Sequence, residues 1–312
     1  MDFLLPIKWV IELILTTFHS IFSIFGNTPA AHGVTWVLSI VFLVMVVRTA
    51  LIPIFVRQIK SQRNMMLAQP EIAKLQKKYK GKTDRESREA MAKEQMELYK
   101  RTGSNPLSSC LPMLVQMPIF FSLFSVLQAA SHGQKGVAFM SQEMANTFKE
   151  STFLGAPLQH SLSTADGNVA VYVLGITMIV AMTASQFITQ KQIMAKNQSA
   201  KTMTTQYMQT QKIMLYVFPV IFAISGIAFP LGLMFYWLTS NFWTMGQQYV
   251  VIKKMPTPGS KAYAEREARL AKKGKLASAV EELESELETI DEIRENTQRV
   301  QPVSKKRSKK RK

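Results

Sequence analysis

Apolar residues run almost unbroken through five stretches of the chain, residues 34–56, 107–130, 169–189, 213–229 and 231–252. Each is long enough, at about 1.5 Å of rise per helical residue, to cross or nearly cross roughly 30 Å of hydrocarbon. Arg48 is the one charged side chain in all five. The pattern predicts an all-α membrane protein, a bundle of five transmembrane helices.

The opening segment reads differently. Lys8, Glu12, Thr16, His19, Ser20 and Ser23 recur at helical spacing, opposite Ile7, Val10, Ile11, Ile14, Leu15, Phe18, Ile21, Phe22 and Phe25. A helix with one polar and one apolar face suits the membrane interface, its charges among the headgroups. Residues 1–33 are therefore expected to be an extracytoplasmic amphipathic helix and a linker. A sixth span, or a signal peptide cleaved near Thr28-Pro29-Ala30, are the alternatives.

Residues 57–106 predict a cytoplasmic helical hairpin. Gly81 is placed to end the first helix, and Thr83-Asp84-Arg85-Glu86 is a capping pattern that opens the second. Ile72, Leu75 and Tyr79 share one side of the first helix, and Met91, Leu98 and Tyr99 are the apolar offering of the second. Glu89/Lys93 and Glu97/Arg101 are expected as pairs one turn apart. Residues 131–168, polar and punctuated by Gly133, Gly136, Gly155 and Pro157, show no sustained periodicity and suggest no chemistry. They form an expected extracytoplasmic loop, with 190–212 a cytoplasmic loop and 253–312 a basic cytoplasmic tail. In that tail Val280, Leu283, Leu287 and Ile290 have the spacing of a short coiled coil.

Charge orients this arrangement. Lys and Arg number 38 against 21 Asp and Glu, a formal net charge of +17. Segments 57–106, 190–212 and 253–312 hold 13, four and 17 of the basic residues, whereas the opposite side has only Lys8, Lys135 and Lys149. Basic residues are retained in the cytoplasm, so the N-terminus is expected outside and the C-terminus inside. The single Cys110 and the four histidines, His19, His32, His132 and His160, exclude a disulfide framework and a multi-cysteine metal site. No metal or other cofactor is expected. No nucleophile paired with a base, phosphate loop or carboxylate pair appears, and the chain reads as a non-enzyme.

Arg48 carries the most information. A guanidinium at membrane depth costs about 2.5 kcal/mol or more and does not escape by deprotonation. It lies about 21 Å from the outer end of its span and about 12 Å from the inner, far for snorkelling, and no span offers a carboxylate. Ser122, Ser125 and Gln128, with Gln116 two turns earlier, form a polar row on the second span. Thr177, Thr183, Ser185 and Gln186 lie on the third, and Trp237, Ser240, Asn241, Thr244, Gln247 and Gln248 on the last. Each alone reads as a helix-to-helix hydrogen bond; together they predict a polar groove around Arg48 in which an incoming hydrophilic segment avoids desolvation. A small-anion channel or transporter is the competing reading, although no internal repeat or interrupted helix pair supports it. A scaffold that only binds ribosomes leaves Arg48 unexplained.

The stretches VVRTALIPIFVRQIKSQRNM (46–65), QPEIAKLQKKYKGK (69–82), YKRTGSNPLSSCLPMLVQMPIFFSLFSVL (99–127) and FPLGLMFYWLTSNFWTMGQQYV (229–250) resemble the YidC membrane insertase family, in the bacterial, Gram-positive form without a large periplasmic domain. The resemblance implies a five-span core whose hydrophilic groove opens to the cytoplasm and to lipid, with Arg48 as its functional charge and Gln186 and Trp237 lining it. Gln190 is an alternative to Gln186. Together with Gln116, Ser240 and Asn241 these form the expected substrate groove. The implied activity is insertion and chaperoning of nascent membrane proteins in the bacterial plasma membrane, with Sec a further candidate partner. The terminal KKRSKKRK, with Lys305, Lys306, Arg307, Lys309, Lys310, Arg311 and Lys312, fits docking on ribosomal RNA or on anionic lipid equally well.

Overall fold

The computed structural model describes residues 3–26, 28–101, 111–196 and 205–272. Cys110, the 280–290 heptad and the terminal basic cluster lie outside them. The described chain is mostly helical, and four of its helices are long and apolar enough to cross a membrane, at Leu5–Phe22, Pro29–Ala50, Leu114–Ser131 and Val169–Lys196. It divides into two compact units, one formed by Met1–Arg57 with Cys110–Tyr263 and the other by Gln58–Ser109 with Ala264–Lys312.

In the first unit, α1 (Leu5–Phe22) precedes α2 (Pro29–Ala50), which begins on a Thr28 cap whose side chain accepts from the Ala31 amide. The first apolar stretch does not continue as one regular helix to residue 56. It breaks at Leu51, and α3 (Ile52–Lys78) follows at once. Pro53 explains the break, because a proline has no amide to donate back to the Thr49 carbonyl and its ring crowds that turn. The Leu51 amide still reaches the Val47 carbonyl at 3.1 Å, so the chain kinks rather than turns away.

Helices α5 (Leu111–Ser131), α7 (Val169–Lys196), α8 (Thr205–Gly226) and α9 (Leu231–Lys254) complete the bundle. The N-terminal half of α9 is buried from Leu231 to Tyr236, and α9 packs against α2, α5 and α7. One continuous apolar core joins Leu15 of α1, Trp36 and Ile40 of α2, Leu123 of α5, Met178 of α7 and Met234 of α9.

Between α5 and α7 the segment without periodicity is ordered. Ser141 caps α6 (Gln142–Glu150), and two-residue strands β1 (Thr152–Phe153) and β2 (Ala156–Pro157) pair antiparallel through a turn at Leu154 and Gly155. Trp36 holds this layer to α2, its ring 5.2 Å from that of Phe148 and its Nε1 donating to Thr147 Oγ1 at 3.3 Å. Gly33 is where α2 touches β1, and a Cβ there would stand 1.9 Å from the Thr152 carbonyl oxygen. Backbone cannot step aside as a side-chain tip can. Gly33→Ala is therefore expected to separate α2 from the β-turn layer and cost about 1–3 kcal/mol, read as a lower midpoint of thermal unfolding in detergent.

Helix α1 corrects the expectation for its charge. Glu12 is not among headgroups but wholly buried, with Thr16 and His19 beside it on the protein-facing side. The large exposed side chains of α1 are apolar, Trp9, Val10, Leu13 and Ile21 among them. Val137 donates its amide to Glu12 Oε1 at 2.7 Å, and Ala138, Phe139 and Met140 donate theirs to Oε2 at 2.8, 2.9 and 3.3 Å. Four successive amides converging on one carboxylate form an anion nest.

The second unit contains most of α3, followed by α4 (Arg85–Arg101). Ala68 and Ile72 of α3 share a small core with Leu98 and Tyr99 of α4. Gly81 takes the left-handed conformation at φ 85°, so the turn stands where it is expected, but the cap is Asp84, which accepts from the Ser87 amide at 2.8 Å, one residue beyond the Thr83 of the capping pattern. A clasp crosses the hairpin, with Lys78 Nζ and Tyr79 Oη donating to Glu94 at 2.7 and 2.8 Å. These bonds hold the Glu94 carboxyl below its ordinary range and push the Tyr79 phenol above its own. The pair one turn apart on α4 is Arg85 with Glu89, at 2.8 Å.

Candidate functional site

The polar residues predicted to share a groove fall into three neighbouring groups along α9, whose successive faces meet α2, α5 and α7. On the α2 side, Arg48 Nη2 donates to Ser240 Oγ, and the guanidinium carbon lies 5.6 Å from the centre of the Phe55 ring. Ser240 and Phe55 are buried, whereas Arg48 is half-buried. No carboxylate forms an ion pair with Arg48 among the described residues. Its charge is supported by a hydroxyl and a ring face, both weaker than a counter-ion.

On the α5 side, Gln116 Nε2 donates to the hydroxyl of Tyr236, which is buried. Nothing in the sequence singled out Tyr236, although it lies one turn before Ser240 and so shares its face of α9. On the α7 side, Gln186 and Thr183 line a cavity of about 10 Å³ with Trp237 and Asn241. That is room for about one water molecule. The Asn241 side-chain nitrogen is buried without a hydrogen-bond partner among the described residues. Gln190, the alternative to Gln186, is instead engaged between helices, donating to Gln211 Oε1 of α8 at 2.7 Å.

Trp237 also has a packing role. Its ring centre lies 5.3 Å from Phe120 of α5, 5.2 Å from Phe222 of α8 and 5.2 Å from Phe229. Aromatic pairs at such distances are worth about 0.5–1.5 kcal/mol beyond their buried area. Trp237 thus links α9 to α5 and α8 and also lines the Gln186 cavity. The structure brings Arg48 to Ser240, and Gln186 to Trp237 and Asn241, while Gln116 reaches α9 through Tyr236 instead.

The family described as 60Kd inner membrane protein matches residues 28–258, which include every one of these site residues. The chain belongs to this family, that of the YidC proteins. A protein of Streptomyces avermitilis described as membrane protein insertase YidC is 46% identical over 277 residues, covering 86% of this chain and 61% of that protein. The chain thus spans less than two thirds of that relative. The Tropheryma whipplei (strain Twist) protein of the same description is 39% identical over 321 residues, 99% of this chain and 97% of that one. A Bifidobacterium longum relative, again described so, is 35% identical over 323 residues, at 98% and 94% coverage. A crystal structure of an active YidC insertase with its first transmembrane domain resolved is similar over 78% of this chain and 46% of that chain, at 25% identity and a TM-score of 0.48. Family membership and the four long apolar helices together make this a multi-pass membrane protein of YidC type.

Proposed function

We propose that this chain is a membrane protein insertase and chaperone that works without enzymatic chemistry, accepting the hydrophilic part of a nascent protein beside Arg48 while its apolar part passes into lipid. The observation that carries the reading is a guanidinium in an apolar helix, supported only by neutral partners and facing no carboxylate among the described residues. An acidic substrate segment supplies the counter-charge that the protein withholds. The polar row of Ser240, Asn241 and Gln186, with Gln116 through Tyr236, supports a path along α9 on which such a segment keeps hydrogen bonds while its desolvation cost falls. The relatives' shared description agrees with this.

In this reading five helices span the membrane, α1 lies in the outer interface with its apolar face in lipid, and the groove opens to the cytoplasm. The N-terminus is outside and the basic C-terminus inside. The 305–312 cluster then docks on ribosomal RNA or anionic lipid, and a Sec channel is a candidate partner for larger clients. No nucleotide site is needed, since burial of substrate apolar area and the membrane potential supply the driving force.

The test is insertion into proteoliposomes containing the purified chain alone. A single-span substrate with an acidic leading segment is expected to become protected from added protease, with no leak of small anions from the same vesicles. Anion flux without protection would replace this reading with a transporter.

A further inference from the structure

A second polar site lies at the C-terminal end of α5, away from Arg48. There a cavity of about 630 Å³ is bordered by Gln128, His132, Lys149 and His160, with Phe124 and Phe229 among its walls. No aspartate or glutamate lines it. Lys149 forms no ion pair among the described residues. His132 Nδ1 donates to the Gln128 carbonyl at 2.8 Å, so in the neutral ring Nε2 is an acceptor, suited to a ligand hydroxyl. His160 has its Nδ1 buried without a hydrogen-bond partner among the described residues. An ammonium without a carboxylate partner, set among neutral polar groups, suits an oxyanion that carries further polar atoms.

What adjoins the cavity narrows the ligand. Leu114, Met117, Phe121, Phe124 and Gln128 recur three and four residues apart, so they make one face of α5 that ends in the polar rim. Leu114, Met117 and Phe121 are exposed. Val217, Val220 and Ile224 form a similar exposed apolar face on α8, Ile227 just beyond the helix is exposed as well, and the chain passes on to Phe229 at the cavity wall. A charged rim at one end of two apolar faces matches an amphiphile rather than a free ion. From Gln128 to Leu114 is about 21 Å along the helix, more than the roughly 15 Å of hydrocarbon in one leaflet. An acidic peptide would satisfy the rim but leave the two faces without a role.

We infer that this cavity binds the phosphate headgroup of a membrane phospholipid, with its acyl chains lying along the exposed faces of α5 and α8. Lys149 holds the phosphate oxygens, His132 Nε2, Gln128 and His160 meet the headgroup's remaining polar atoms, hydroxyls among them, and Phe124 and Phe229 pack on the glycerol backbone. This assignment does not depend on the insertase reading, since binding is measured without any substrate protein.

The experiment is native mass spectrometry of the full-length, delipidated protein in detergent, titrated separately with dioctanoyl-phosphatidylglycerol, dioctanoylglycerol, inorganic phosphate and a hexaglutamate peptide. One phosphatidylglycerol should be retained per chain, and the double variant Lys149→Gln/His132→Gln should weaken its binding about tenfold, the loss of roughly one charge-assisted contact. Both residues are exposed, so the variant should keep the parent's thermal unfolding midpoint. Single Lys149→Gln guards against a folding defect in the double change and should show a smaller loss in the same direction. Equal binding of dioctanoylglycerol, or unchanged binding by the double variant, would overturn headgroup recognition. Inorganic phosphate or hexaglutamate binding as tightly as the lipid would overturn the lipid assignment in favour of a free anion or an acidic peptide.

Discussion

Glu12→Ala is expected to release α1 from the rest of the protein and to cost more stability than any other single polar change in the first unit. The carboxylate gathers four backbone amides between residues 137 and 140 and is itself wholly out of contact with solvent. Hydrogen bonds to a charged group contribute about 1.5–3 kcal/mol each, and each buried amide left without an acceptor costs about 1–3 kcal/mol. The four are not additive, and water will enter the vacated space, but a loss of about 3–5 kcal/mol is the reasonable scale. Glu12→Gln should fall between, because its oxygen still accepts while its amino group is a donor set against donors. Gly136 offers an independent check from the other side of the contact. A Cβ there would lie 2.3 Å from Glu12 Oε1, so Gly136→Ala must displace the same carboxylate. Limited proteolysis between residues 22 and 34, together with thermal unfolding in detergent, reads the release. Wild-type protection in Glu12→Ala would mean that apolar contacts such as Leu15 and His19 with Trp36 hold α1 unaided.

That carboxylate also marks the boundary of what could be read from sequence. Hydropathy alone found the bodies of α2 and α7, since each is a long apolar run whose helical hydrogen bonds are internal, but it carried the first run past the break at Leu51 to residue 56. The hairpin's turn was equally legible, because Gly81 and Asp84 act on their immediate neighbours. Glu12 was visible only as a polar residue on a polar stripe; its amide partners lie 125 and more residues away in a segment with no period of its own. The β-turn was hidden for a different reason. Leu154 adopts φ 52° and Gly155 φ 80°. A turn with two positive φ values usually advertises itself with Asn-Gly, and leucine there gives no such signal. At the candidate site, periodicity put Ser240 and Asn241 among the polar positions of the last span but could not tell which would meet Arg48. Nor could it tell that Tyr236, apolar in any pattern, would take the hydrogen bond of Gln116.

Arg48 carries the other large expected effect, on function rather than stability. Removing a half-buried cation that has only a serine and a ring face for company deprives the fold of little, so Arg48→Ala should retain its unfolding midpoint. Its effect on insertion should be selective. Two unit charges about 4 Å apart interact by about 1 kcal/mol in bulk water and about 4 kcal/mol at an effective dielectric constant of about 20. A fall of about tenfold in the insertion rate of a substrate with an acidic leading segment requires only about 1.4 kcal/mol, well within that range. A neutral leading segment of equal length gains nothing from the charge and should be inserted at nearly the parent rate. Arg48→Lys separates charge from shape: an ammonium keeps the attraction but gives up the planar guanidinium near the Phe55 ring, so it should preserve most activity. Ser240→Ala should preserve it too, since the hydroxyl steadies the guanidinium without supplying charge. If the alanine variant slowed acidic and neutral substrates alike, Arg48 would be shaping the passage rather than attracting what enters it.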